Sequence, residues 1–367
     1  MQPVRILLVQ LGANGDCLFV TTIAKQIKEI DYPGCNLTWM IGKRYRQVIK
    51  NNPFIDRIVE VPIQDITDTK YFRERIPELI ESESKIYSYD HVFVTDYTYI
   101  NYDKWFGTTR SSLFRCYPHS FKINPQPLIF LDYEEQIQVN LFCNTNNITD
   151  STYNILFECA PQSGQSRMNF ETAHHIANIL VSEIDNCKII LSSPTKFESN
   201  NVNIIDGSVI SWRCNAELVN YCHLFIGCSS GISWLITSNW CKKIPSIQII
   251  DPNYMQGKIS ASVILDYTYF GLDTSDIIEM KNPRNVEIIS CISEVISGNF
   301  QIAKIKSDIN LNSGFTSFKF LTNLGLSFRI KIYFIFKYWF IGNLIKLYRL
   351  NKPSWFRPKV LFRKSLK

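Results

Sequence analysis

Twice along this chain, short apolar runs alternate with stretches of helical spacing, and that double alternation constrains the fold more than any other feature. Arg5–Gln10 reads as a buried strand, and Cys17–Ile30 follows with apolar residues at helical intervals. Leu37–Ile41, Ile55–Val61 and His91–Asp96 read as further strands. Such an order argues for a parallel sheet with helices on both faces. The polar run Asn144 to Thr152 then breaks the pattern as a linker would. It restarts with a strand at Tyr153–Cys159 and a helix at Glu171–Ile184, and continues through Lys188–Ser192, Val202–Ile205, His223–Gly227 and Ile244–Ile250. A chain of 367 residues has room for two ordinary domains and a tail. The expected architecture is α/β: two Rossmann-like domains facing a cleft, over residues 1–150 and 151–306, with a tail from 307 to 367. The stretch Glu287–Ile296 is a candidate helix to cross back to the first domain.

Charge is distributed unevenly. Of the 39 Lys and Arg, 12 lie from Lys319 onward, where no Asp or Glu occurs; the remaining 27 face all 33 acidic residues, a net of −6. An acidic body with a basic tail excludes a nucleic-acid-binding role for the protein as a whole and directs the tail toward an anionic partner. The 11 cysteines are scattered singly, with no C-x-x-C pair, as expected of reduced, buried thiols in a reducing compartment. No metal site is expected, because closely paired Cys and His ligands are missing. The first strand-like run is too short for a signal peptide's apolar core, so a cytoplasmic start is expected. Lone histidines such as His91, His119, His174 and His175 have no carboxylate at catalytic or metal-like spacing.

Three loops carry candidate chemistry. Leu11-Gly-Ala-Asn-Gly-Asp16 follows the first strand and opens a helix, where Gly12 and Gly15 let the backbone turn tightly beside Asn14. Free N–H groups at a helix start attract anions, and Asp16 there is either a helix cap or an ionised carboxylate available for chemistry. The run is not the dinucleotide fingerprint, which disfavours a nicotinamide or flavin cofactor. In the second half, Leu224–Gly227 leads through Cys228 and Ser229 to a helix beginning near Ser230, whose hydroxyl can cap it. A turn of Ser229, Ser230 and Gly231 aims N–H groups at an anion such as a diphosphate, or is an ordinary capped turn. Between them, Cys159 to Glu171 carries Gly164 and Arg167, and Lys196 and Glu198 end another strand; these are either nucleotide contacts or solvated loop residues.

Arg5-Ile-Leu-Leu-Val-Gln-Leu-Gly-Ala-Asn-Gly-Asp16, with Thr21-Thr22 and the later Asn52-Pro-Phe-Ile-Asp56, resembles the family 9 glycosyltransferases, the ADP-heptose-dependent heptosyltransferases. The resemblance implies the two-domain GT-B arrangement, and it implies that Asp16 is the general base for the acceptor hydroxyl. Leu224-Phe-Ile-Gly-Cys-Ser-Ser-Gly-Ile-Ser-Trp-Leu235 is similar to the family's donor turn, with Ser229 where the family has Asp and Trp234 where it has His. That variant is closer to the autotransporter heptosyltransferases, whose paired cysteines this chain lacks. In the intervening loop Phe170 matches a family Trp, while Met168 stands where a phosphate-binding Lys is expected and Arg167 is placed to replace it.

The expectation is therefore an inverting, metal-independent transferase that needs no cofactor beyond its nucleotide-sugar donor. Asp16 would be the base, with Arg167 and the Ser229–Gly231 turn holding the diphosphate. Phe315–Leu350 mixes aromatic and aliphatic residues with Lys337 and other cations, which suits a helix lying on an anionic membrane surface better than one spanning it. A cytoplasmic enzyme held peripherally at the membrane's inner face would have a lipid-linked or lipopolysaccharide-type glycan acceptor. The alternatives are a non-catalytic nucleotide-sugar-binding subunit and a sugar-nucleotide epimerase of the same fold.

Overall fold

The computed structural model describes residues 2–62, 69–97, 101–104, 108–253 and 260–307. The tail from residue 308, on which the membrane reading rests, lies outside them. In the first half β1 (Arg5–Val9), α1 (Asn14–Gln26), β2 (Asn36–Gly42), β3 (Arg57–Val61), α2 (Thr69–Ile86) and β4 (His91–Val94) form a parallel sheet of order β3-β2-β1-β4. Two helices, α3 (Thr109–Arg115) and α4 (Tyr133–Thr145), lead to the second half. There β5 (Tyr153–Glu158), α5 (Phe170–Glu183), β6 (Cys187–Ser192), β7 (Ile204–Asp206), α6 (Asn215–Leu218) and β8 (Leu224–Gly227) are followed by α7 (Gly231–Leu235) and β9 (Ser246–Ile250). The half closes with α8 (Val263–Phe270), β10 (Ile277–Lys281), α9 (Asn285–Ile296) and α10 (Phe300–Lys306).

The second sheet runs β10-β9-β8-β5-β6-β7, again parallel throughout. Renumbered from its own first strand, that is the doubly wound order 3-2-1-4-5-6, and the first sheet has its opening 3-2-1-4. The two Rossmann-like units expected from the alternation are present. Central strands are buried on both faces, with Ile6, Leu7 and Leu8 in one sheet and Ile155, Leu156 and Phe157 in the other at 0% exposure. Helices on both faces account for their continuous apolar character.

In such sheets the order reverses beside the first strand, and ligands bind outside the carboxyl ends of the strands at that point. The loops after β1, β5 and β8 leave from those ends, so topology alone gathers the Asp16, Arg167 and Ser230 loops on the ligand-binding edges. The halves also share one apolar cluster, in which Ile6, Leu8 and Phe19 of the first meet Trp234 and Leu235 of the second. The Phe19 and Trp234 rings are edge-on, 4.8 Å between centroids.

Two expectations are corrected. The stretch Glu287–Ile296 does not return to the first half: α9 packs against α5 and α10 through Ile288, Cys291, Ile292 and Val295 in the second sheet's own core. A strand at β10 is added, which periodicity did not indicate. The thiols of all 11 cysteines are free and buried or partly buried. Among the described residues no helix is long and apolar enough to cross a membrane.

One buried arginine straps the halves together. Arg213, 2% exposed, donates to Glu135 at 2.6 Å and 3.1 Å, to the Gln47 carbonyl at 2.8 Å and to the Phe130 carbonyl at 2.5 Å. Removing one partner of a buried, hydrogen-bonded ion pair leaves the other charge uncompensated. Arg213→Ala is therefore expected to cost about 3 kcal/mol in urea unfolding; a loss below about 1 kcal/mol would mean the strap is dispensable.

Candidate active site

The start of α1 sits directly against the start of α7. A Cβ placed on Gly15 would lie 3.5 Å from Gly231 Cα and 3.3 Å from Trp234 Cδ1, and one on Gly231 would lie 3.4 Å from Asn14 Cβ. A side chain at Gly15 would press on the Trp234 ring, whereas one at Gly231 would meet its neighbours at ordinary contact distance. Gly12 is needed for a similar reason, because a side chain there would run into the Tyr45 ring. Asp16 and Ser230 thus belong to one junction, as the loops implied, but the two helix starts touch and no gap separates them.

Asp16 is the third residue of α1, not its cap. Its carboxylate reaches back to accept the Ala13 N–H at 3.4 Å. Part of its surface stays accessible, yet protein surrounds it closely. Burial is the largest influence and lifts its pKa from 3.8 to about 6, against the opposing Arg110 charge and the Ala13 N–H, while Asp266 adds to the rise. The helix start favours the charged form and desolvation outweighs it, so Asp16 stays ionised at neutral pH but with a raised proton affinity.

The β8–α7 turn is held from beneath by two residues that the sequence did not single out. Glu158, at the end of β5, accepts the Cys228 N–H at 2.9 Å, the Ser233 hydroxyl at 3.3 Å and the Ser230 hydroxyl. Gln248, in β9, accepts the Ser229 N–H at 3.0 Å and the Ser233 hydroxyl at 2.9 Å. Of the N–H groups expected to face an anion, that of Ser229 is therefore already taken by a protein acceptor, as is the preceding N–H of Cys228. Ser230 does cap α7, accepting the Ile232 N–H at 3.4 Å, and Ser229 takes a left-handed conformation, φ 52°. Burial pushes the Glu158 carboxyl up against the pull of those donors.

On the neighbouring edge Gly164 is exposed with φ 68°, and Arg167 Nε donates to Asp251 at 2.8 Å with its side chain 69% exposed. Met168 turns inward into the second sheet's core. Lys196 and Glu198 lie exposed in the loop after β6. The loop after β5 reaches the turn through Gln165, whose Oε1 accepts the Ser229 hydroxyl at 3.2 Å.

Arg110, also missed by sequence reasoning, occupies the centre. It is 2% exposed, on α3, with its guanidinium carbon 4.0 Å from the centre of the Trp234 ring. It donates to the Ser229 carbonyl at 3.2 Å and to Gln165 Oε1 at 3.4 Å, and lies 3.6 Å from Asp266. Asp266, from α8, in turn accepts the Ser111 N–H at 3.0 Å and the Thr108 hydroxyl, so a carboxylate of the second half closes the start of a helix in the first. Among the described residues no group of His, Cys, Asp and Glu side chains is arranged to hold a metal ion.

Two parallel units of this order, joined where the loop after β1 meets the turn after β8, define the GT-B class of fold. By structure the chain is similar to a family 9 glycosyltransferase from Veillonella parvula, with a TM-score of 0.52 and 14% identity over 86% of this chain and 96% of that one. The E. coli heptosyltransferase WaaC with ADP aligns at a TM-score of 0.47 and 13% identity, over 82% of this chain and 100% of that one. The sequence matches no family model and no curated protein. At these identities the likeness is one of fold, and the expected family 9-like architecture is borne out.

The raised proton affinity of Asp16 makes a prediction for stability. Folding favours its protonated form, so the ionised form is a growing cost as pH climbs from about 4 to about 6 and a constant one above. Asp16→Asn should gain on the wild type over that interval, by on the order of 2 kcal/mol at neutral pH relative to pH 4. Urea midpoints across the range would read it, and a pH-independent difference would contradict the assignment.

Proposed function

We propose that the chain is an inverting, metal-independent glycosyltransferase that moves a sugar from a nucleotide-sugar donor to an acceptor hydroxyl. The observation that carries this reading is the position of Asp16: a carboxylate with pKa near 6 at the reversal point of the first sheet, against the turn that opens α7. A base is most useful when its pKa lies close to the working pH, and burial brings Asp16 there. In the proposed step Asp16 takes the proton of the acceptor hydroxyl as that oxygen bonds to the anomeric carbon. The bond from that carbon to the donor's phosphate oxygen breaks on the opposite face, and the nucleoside diphosphate leaves with the electron pair. Arg167, exposed at the rim, is proposed to meet the diphosphate by exchanging Asp251 for it.

A heptose as the sugar, and a lipid-linked or lipopolysaccharide-type glycan as the acceptor, are the finer proposals. Resemblance at the Asp16 and Ser230 loops supports the first. The basic aromatic segment 315–367, read from sequence, supports the second and a peripheral place on the membrane's inner face. Deletion of residues 315–367 should shift the protein from sedimented anionic vesicles to the supernatant; unchanged partition would remove the membrane reading.

A non-catalytic nucleotide-sugar-binding subunit is the second reading, favoured by the two turn N–H groups already held by Glu158 and Gln248. Turnover separates the two. With a panel of ADP-, UDP- and GDP-sugars, Asp16→Asn is expected to bind the donor and lose about 10²–10⁴-fold in transfer. Because the base must be ionised, wild-type kcat should fall about tenfold per pH unit below about 6. A wild type that binds donor but transfers nothing would favour the binding subunit, and a rate flat from pH 5 to about 7.5 would exclude Asp16 as base.

A further inference from the structure

Four side-chain atoms at the junction of the halves are buried and find no hydrogen-bond partner among the described residues: Asn14 Oδ1, Arg110 Nε, Trp234 Nε1 and Asp266 Oδ2. Their contacts place them in one cluster. Arg110 stacks over the Trp234 ring at 4.0 Å and lies 3.6 Å from Asp266 Oδ2. The Cδ1 edge of Trp234, beside Nε1, faces Gly15, and Asn14 packs on Gly231. Arg110, Trp234 and Asp266 are 2%, 0% and 1% exposed, so water outside the protein does not serve them. Native interiors rarely leave one such group without a hydrogen bond, and here four stand together, Asp266 Oδ2 facing Arg110 only at ion-pair distance.

Their chemistry selects the complement. Arg110 Nε and Trp234 Nε1 can only donate, while Asp266 Oδ2, when ionised, and Asn14 Oδ1 only accept. A phosphate offers acceptors alone and would meet Asp266 and Asn14 with repulsion. A cation fails at the other two, and an apolar group at all four. A hydroxyl both donates and accepts, so a ring bearing several hydroxyls satisfies the set.

We infer that Asn14, Arg110, Trp234 and Asp266 form a subsite for the hydroxyls of the transferred sugar, Asn14 and Asp266 accepting from them and Arg110 and Trp234 donating to them. This rests on the sugar-transfer reading and assigns the diphosphate elsewhere, to the exposed Arg167 edge. It also makes the junction the part that discriminates among sugars, since an analogue lacking a hydroxyl would leave a buried group unpaired. None of the four atoms is reached by solvent in this arrangement and the two helix starts touch, so the ring enters only where α1 and α7 draw apart.

Trp234→Phe keeps an aromatic face under Arg110 and deletes only the indole donor; Asp266→Asn replaces an acceptor with similar shape. Titration calorimetry on the full chain would compare ADP-, UDP- and GDP-sugars with free ADP, UDP and GDP. The wild type is expected to prefer one sugar nucleotide over its own nucleoside diphosphate, and each variant to lose about tenfold of that preference. Affinity for the free nucleotide should stay unchanged, which also certifies that the variant is folded. Asn14→Ala, less deeply buried, supplies the same comparison if the other two do not fold. A preference undiminished in the variants would overturn the subsite, leaving buried water as the partner of these atoms. A wild type that binds no sugar nucleotide would overturn the transfer reading and the subsite together.

Discussion

The backbone contact between Gly15 and Gly231 is the constraint from which the rest of the junction follows. Because Gly15 has no side chain, the Trp234 ring lies against the first turn of α1 without pressing on it. Water is thereby excluded from a place that holds Asp16, Arg110 and Asp266. Two effects then compete at Asp16. A helix start stabilises a carboxylate by about 0.3–1 kcal/mol at an exposed site. Desolvation of a buried acid raises its pKa by up to about 3–5 units, several times larger in energy. The nearby Arg110 recovers part of the loss and Asp266 adds to it, so the carboxyl comes to rest near 6.

A carboxylate near that value is a stronger base than the one its helix position alone would give. Ionised at neutral pH, it would hold a proton better than an exposed aspartate, as the proposed base role requires. The same exclusion of water makes every partner of Arg110 matter. A buried guanidinium with its acceptors removed is far costlier than an exposed one, which ties α3, α8 and the β8–α7 turn into one unit. The halves are joined at this point and at Arg213, where another buried arginine collects three acceptors from distant parts of the chain.

Periodicity located nearly every strand, because a strand covered on both faces must be apolar throughout. It passed over β10, where Glu279 interrupts Ile277-Ile278 and Met280. That glutamate is buried, accepts the Ser262 hydroxyl and the Ile264 N–H, and is pushed up to about 7 chiefly by burial. A polar residue inside a strand is compatible with burial only when donors from elsewhere reach it, and those donors are invisible in a linear pattern. The site divides in the same way. Gly15, Asp16, Ser230 and Gly231 could be found because strand, glycine turn and helix are adjacent in the chain. Arg110, Glu158 and Asp266 could not: Arg110 meets Ser229 across 119 positions, Glu158 meets Cys228 across 70, and Asp266 meets Ser111 across 155.

Of the three positions where the sequence departs from the pattern it resembles, two lie at Arg110. Trp234, in place of a histidine, offers an uncharged aromatic face 4.0 Å from the guanidinium carbon, an attraction that a protonated imidazole would turn into repulsion. Ser229, in place of an aspartate, presents its carbonyl to Arg110 and its hydroxyl to Gln165 and the Ala261 carbonyl, all within a fully buried turn. A carboxylate at that hydroxyl's position would face two acceptors with no proton to share. Met168, in place of a lysine, enters the apolar core, while the adjacent Arg167 carries positive charge at the rim. The first two changes suit a junction organised around one buried arginine, and the third moves the exposed cation by a single residue.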